Sequence, residues 1–186
     1  MSLRLGSTTE QGIEQAFTDG SILRTHMLRP TWHYVTPADI RWMLALTAPH
    51  VHSANAPMLR QVGLDRAMLE RTKAVLIKAL EHTKQQTRAE LRQALELAGI
   101  ATGDGLCLAY IMMNAELEGL ICSGGRRGKQ FTYALLDERA PHARTLSRQE
   151  ALVELSRRYF LSRGPATVQD FAKWSGMTIA DATGGL

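Results

Sequence analysis

Residues 106–136 read LCLAYIMMNAELEGLICSGGRRGKQFTYALL, and the fold turns on how this stretch divides. Its first part is apolar at Leu106, Ala109, Tyr110, Met113 and Leu117, the three- and four-residue spacing of a helix, and it stops at Gly119. Leu120-Ile121-Cys122-Ser123 then opens a strand, Gly124-Gly125-Arg126-Arg127-Gly128 supplies a turn, and residues 129–136 return. The stretch predicts a helix feeding a β-hairpin whose tip is rich in glycine and basic residues.

Two further helices precede it. Over 64–84 the apolar positions Met68, Leu69, Val75, Leu76, Ala79 and Leu80 recur with helical period. Thr87 then caps a shorter helix, with Glu90 three residues on completing a capping box and Leu91, Leu95 and Leu97 expected to point inward. Three helices of decreasing length followed by a hairpin are the order of a winged helix-turn-helix, in which the third helix reads a groove.

The same pattern recurs to either side. Near the start, a helix over 8–18 with Ile13, Ala16 and Phe17 inward ends at Asp19-Gly20 and passes into two extended runs, 21–28 and 31–35, joined through Arg29-Pro30. Helix, acidic residue, glycine and apolar strand follow one another there as they do over 113–121. Pro37 then suits the first turn of a helix carrying Ile40, Met43, Leu44 and Leu46 up to Pro49, and 50–57 reads as a loop. After Pro141, Ser147 caps a helix through Leu152, Leu155 and Tyr159, a short helix spans 167–175, and Thr178 starts another. The expected fold class is mainly α with short β-hairpins, in tandem winged helix-turn-helix units. Residues 1–62 carry the last part of a first unit plus a connecting helix, 63–140 a complete second unit, and 141–186 the first part of a third, so both ends are expected to fall inside a unit.

Composition sets the outer limits. The 186 residues are 45% hydrophobic and 22% charged, enough to bury a core. Lys and Arg number 22 against 18 Asp and Glu, a net charge of +4 that fits a polyanionic partner without requiring one. Cys107 and Cys122 sit in apolar surroundings and read as buried thiols of a reducing compartment. Residues 1–20 lack the apolar core of a secretory signal, and no stretch has membrane-spanning length, so a cytoplasmic, nucleoid-associated protein with no membrane partner is expected.

Two segments can carry contacts to a polyanion. At the hairpin tip, Arg126, Arg127 and Lys129 among glycines can approach a phosphate backbone closely, although a solvated turn has the same composition. In the ribbon, Arg24, His26, Arg29, Thr31, Trp32 and His33 interleave cations, imidazoles and an aromatic ring. Alternation places Arg24 and His26 on one face, and leaves Trp32 and Tyr34 either as stacking residues or as core. His50-x-His52 lacks a Cys or carboxylate at ligand spacing, so neither a metal nor another cofactor is expected. Glu116 and Glu118, two apart on a helix, face different ways and form no carboxylate pair. No Ser-His-Asp order, phosphate-cradling glycine loop or zinc-peptidase helix is present.

The segments DGSILRTHMLRPTWHYV at 19–35 and ADIRW at 38–42 resemble the winged-helix DNA-binding family of bacterial DNA glycosylases that excise alkylated purines and unhook interstrand crosslinks. TRAEL at 87–91, GLICSG at 119–124 and FAKWSG at 171–176 share the family's look, with RPTWH at 29–33 its most specific part. The resemblance implies tandem winged helices around a DNA channel, double-stranded and damaged DNA as partner, and hydrolysis of an N-glycosidic bond in active members. Those members carry a Gln-x-Gln or Gln-x-Asp motif ahead of the first ribbon, which positions the attacking water. Here Gln11 and Gln15 are spaced differently and lie too near the ribbon, and Gln85-Gln86 belongs to another unit, so no catalytic residue carries over and the motif is expected before residue 1. A DNA-binding member without its water-activating residues is the first functional expectation, and a non-enzymatic winged-helix transcription regulator the alternative.

Overall fold

The computed structural model describes residues 9–103 and 105–186. The stretch before Thr9, where a signal sequence was sought and the first helix was expected to start at Thr8, lies outside the described residues.

Helix α1 (Glu10–Asp19) is capped by Thr9, whose side chain accepts from the Gly12 N–H, and ends at Gly20 in the left-handed region. Strands β1 (Leu23–Met27) and β2 (Arg29–Val35) pair antiparallel. Their reversal falls at Leu28, whose φ is 60°, and not at Arg29-Pro30 as expected. The register shifts after His26, which leaves Pro30 in a bulge where its missing N–H costs no ladder bond.

Helix α2 (Ile40–Gln61) continues through Pro49 and Pro57, so the expected loop over 50–57 is helical. An interior proline costs about 3 kcal/mol, but Leu44, Thr47, Ala48, Val51 and Asn55 continue one buried stripe, and that burial outweighs the lost bond. His50 and His52 therefore lie on a helix. Among the described residues no three His, Cys, Asp or Glu side chains gather at metal-binding spacing.

The middle of the chain follows the expected order. Helix α3 (Arg66–Thr83), the short strand β3 (Gln86–Thr87), helix α4 (Arg88–Leu97), helix α5 (Leu106–Leu117) and the hairpin β4 (Ile121–Arg127) and β5 (Gln130–Leu135) succeed one another, and the sheet order is β3-β5-β4. The Thr87–Glu90 capping box is formed in both directions. Three details differ from expectation. The third helix, at 12 residues, is longer than the second, at 10. Leu97 is 82% exposed, because it stands two residues, or about 200°, round the helix from the buried Leu95. Gly124 and Gly125 lie inside β4, and the turn proper is Gly128-Lys129.

A short helix α6 (Leu136–Arg139) leads to α7 (Arg148–Arg163), α8 (Val168–Ser175) and α9 (Ile179–Gly184). Ser147, Thr167 and Thr178 cap the last three, the first two as full capping boxes. Among the described residues no helix is long and apolar enough to cross a membrane.

Two larger cores and a small cluster of Ala48, Val51, Met113 and Leu117 between α2 and α5 organise these elements. One joins the ribbon, the start of α2 and helices α7–α9 through Leu23, Met27, Ile40, Trp42, Tyr159 and Phe171. The other fills the middle segment with Leu76, Leu80, Leu91, Leu95, Ile111 and Tyr133. Between them lies α5, in which Leu108 and every residue from Ile111 to Leu117 are buried. A helix apolar on all sides belongs inside a protein. The expectation that this third helix reads a groove therefore fails for all but its N-terminal turn, where Leu106 is exposed and Cys107 half-buried. Cys122 is fully buried, which pushes its thiol up to about 12.

The repeat seen in sequence has a structural counterpart. Both α1 and α5 end at a glycine in the left-handed region, Gly20 and Gly119, and each feeds a hairpin. The packing is reciprocal: α1 lies on β4, α5 on β1, and β1 beside β4. The Arg24 N–H donates to Ser123 Oγ at 2.8 Å across that junction.

Candidate nucleic-acid interface

The ribbon register sets Arg24 opposite Tyr34 and His26 opposite Trp32, so these four side chains share one face. The other face of β1 carries Leu23 and Met27 into the core. Every residue of β1 is buried, because α5 and β4 pack against it and Phe131 of β5 covers Arg24. Trp32 and Tyr34 are not core, being 48% and 49% exposed.

Arg24 is the centre of this face. Its guanidinium stacks on Phe131 with 3.7 Å to the ring centroid and on Trp32 with 4.1 Å. Burial lowers its pKa, opposed by nearby Tyr133 and Glu116, and its Nε has no partner among the described residues. His26 tilts against Trp32 with 5.2 Å between ring centroids and bonds Glu116 Oε2 through Nδ1. Glu116 is 0% exposed. Burial raises its pKa, against the pull of His26 and Arg24. Glu118 points elsewhere, to Asn114 and Lys73, so the two carboxylates form no pair, as their spacing predicted.

In front of Arg24 opens a cleft of about 480 Å³ between ribbon and middle segment, lined by Trp32, Phe131, Arg88, Arg92 and Leu108 among others. Arg88 and Arg92 are braced by the carbonyls of Gly105 and Gly103, at 3.0 and 2.9 Å. The cleft thus presents planar rings and guanidinium groups, which suit stacking on bases and contact with phosphates.

The hairpin tip is less available than its composition suggested. Arg126 pairs with Glu14 of α1, donates to the Lys129 carbonyl at 2.9 Å, and lies 4.9 Å over Phe131. Its charge is spent inside the fold, because the reciprocal packing brings α1 onto β4. Arg127 pairs with Glu90 at 2.6 Å but is half exposed, and Lys129 is exposed.

The structure therefore brings Arg24 and Arg126 together over Phe131, with Trp32 against Arg24 and His26 against Trp32, although ribbon and hairpin are about a hundred residues apart. Arg29 and Thr31 are exposed near the ribbon turn, outside the cleft. His33 faces the other way and donates from Nδ1 to the Thr31 carbonyl, 2.9 Å away. Sequence reasoning missed Phe131, Arg88, Arg92 and the role of Glu116. The last had a signal, a lone acid in the apolar run LCLAYIMMNAEL; the others had none, since only packing places them by the ribbon.

Among solved structures, the DNA glycosylase AlkZ of Streptomyces sahachiroi is similar at a TM-score of 0.69 and 18% identity, over 94% of this chain. The match covers 52% of that protein, so the chain spans about half of its length, and the likeness is one of fold. No curated protein matches the sequence. The family described as DNA glycosylase AlkZ-like matches residues 1–186, the whole of the sequence. The chain belongs to the AlkZ-like DNA glycosylase family.

Proposed function

We propose that this chain binds double-stranded, damaged DNA as a repair glycosylase-like protein, with the cleft in front of Arg24 as its contact to the lesion. The observation that carries this is the meeting of ribbon and hairpin on Phe131, which fixes a stacked guanidinium beside an exposed tryptophan in an open cleft edged by Arg88. Trp32 offers a flat surface for a base loosened from its stack, and the exposed Lys129 at the hairpin tip is a phosphate contact. Arg24, His26 and Glu116 act behind it as a buried brace. Family membership supports DNA as the partner.

We propose also that the chain is organised in tandem winged-helix units, with 63–140 as a complete one and parts of others to either side. The α3-β3-α4-α5-β4-β5 order and the separate core of the middle segment support this. A cytoplasmic, nucleoid-associated location accords with a DNA partner. The burial of α5 counts against a sequence-reading transcription regulator, which needs a helix free to enter the major groove.

No Gln-x-Gln or Gln-x-Asp occurs in these 186 residues, and no residue here is assigned to activating water. Binding without base release is the expected behaviour of the chain. In fluorescence anisotropy, Trp32→Ala is expected to lose about ten-fold or more in affinity for a duplex with an unpaired or alkylated base, the size of one stacking contact, and less for an intact duplex. Equal loss on both duplexes, or none, refutes the stacking role. Release of an alkylated base from labelled duplex by this chain refutes binding without turnover.

A further inference from the structure

A second basic surface lies outside the cleft and is built from three separate elements. Arg29 follows the ribbon turn, Arg163 ends α7, and Lys173 stands on α8; together they line a shallow depression of about 490 Å³ with Tyr159, Trp174 and Asp170. All three cations are exposed, and among the described residues none of them forms an ion pair. The hairpin-tip arginines, by contrast, are both paired. The single carboxylate lining it, Asp170, closes the α8 capping box, accepting from Thr167 N–H at 2.9 Å and Thr167 Oγ1 at 2.7 Å; it feels the Lys173 charge but forms no ion pair with it.

The depression is also held in shape. Arg163 lies over Trp174 with 4.8 Å to the centroid and over Tyr159 with 5.5 Å, and Nη1 donates to Ser162 Oγ at 3.5 Å, so the exposed guanidinium is held by ring contacts and one weak hydrogen bond. A Cβ on Gly176, which ends α8, would come within 3.0 Å of the Leu28 carbonyl, so the ribbon turn and α8 touch closely. Arg29 and Lys173 are thereby carried on elements that cannot move apart without breaking that contact. Unpaired, pre-positioned guanidinium and ammonium groups around an aromatic wall fit phosphodiester oxygens, with Arg163 suited to two oxygens of one phosphate. Trp32 of the cleft is three residues from Arg29 on the same strand, about 10 Å at most, so one duplex can reach both.

We infer that Arg29, Arg163 and Lys173 form a second phosphate clamp, which grips the backbone of the same DNA duplex beside the Trp32 cleft. This rests on the DNA-binding reading above and adds to it where the backbone is held. The clamp positions the duplex and reads no sequence.

The test is the salt dependence of binding of the whole chain to a labelled DNA duplex, for wild type, Lys173→Gln, Arg163→Gln with Lys173→Gln, and Lys173→Arg. Each neutralised phosphate contact contributes about 0.9 to the slope of log affinity against log salt. The expected result is a slope smaller by about one for Lys173→Gln and about two for the double variant, equal on all sequences, with the wild-type slope kept by Lys173→Arg. Thermal melts confirm the fold, and the exposed Lys173→Gln stands by itself should Arg163 prove necessary for stability. A wild-type slope in both Gln variants, with wild type binding duplex well, overturns the clamp alone. Failure of wild type to bind duplex DNA at low salt overturns the clamp together with the reading beneath it.

Discussion

At Asp39 a buried carboxylate accepts from Trp42 Nε1, Thr36 Oγ1, Arg144 and Arg158, tying the start of α2 to α7 and to the loop before it. Burial alone would raise its pKa; the bonds from Arg158, Trp42, Arg144 and Thr36 outweigh it and hold the group well below the usual carboxylate range. A depressed folded pKa stabilises the fold above the unfolded value and loses that stabilisation as pH falls towards the folded one. Asp39→Ala is expected to cost about 1–3 kcal/mol at neutral pH, because it leaves the buried indole N–H without its acceptor and removes the anchor of two part-exposed arginines. In urea melts the gap from wild type should narrow below about pH 4, where the unfolded carboxylate protonates; a gap that stays constant into acid would mean the charge contributes nothing. ADIRW at 38–42 was visible in the sequence as a family-like segment, but the two arginines that make Asp39 a hub lie more than a hundred residues away.

Elements were legible where their own residues decide them. The Thr87–Glu90 box, the glycine stops at Gly20 and Gly119 and the apolar spacing of α3 all act within one or two turns. They failed where burial overrode local preference, as at Pro49, read as a stop inside what is a 22-residue helix. Pro49 is exposed and deprives the helix of one backbone bond. Pro49→Ala is expected to stabilise the protein by about 1–2 kcal/mol, the restored bond and relieved clash less the greater freedom of the unfolded chain. A rise in urea midpoint with unchanged slope is the measure, and a fall would show that the proline shapes a bend the core requires. Helix α5 taught the reverse lesson: its spacing looked amphipathic, yet the side left for solvent is covered by the ribbon and by α2.

Across the whole molecule, the reciprocal packing of α1 on β4 and α5 on β1 decides the candidate site. Phe17, 2% exposed, is its junction, touching Tyr34 with 5.2 Å between centroids and Phe131 with 5.4 Å. Phe17→Ala is expected to destabilise by about 3–5 kcal/mol, as a buried phenyl ring does when its cavity cannot collapse. It should also loosen the Phe131 ring beneath Arg24, so DNA affinity should fall even at temperatures where the variant stays folded. Melting curves and anisotropy on the same samples separate the two effects; a full loss of stability with unchanged affinity of the folded fraction would detach the cleft from this junction.

The sequence by itself determined the mainly helical class, the repeated helix–glycine–hairpin order, the caps and the membership of the ribbon in a DNA-acting family, because each depends on neighbours a few residues apart or on a contiguous motif. Only the tertiary structure decided which cations are free. Arg126 and Arg127 looked like the most available and are paired, whereas Arg163 and Lys173 drew no notice and stand unpaired beside Arg29. The reason is physical: whether a cation keeps its charge for a partner depends on the carboxylate that packing brings within reach, and Glu14 is 112 residues from Arg126 in sequence.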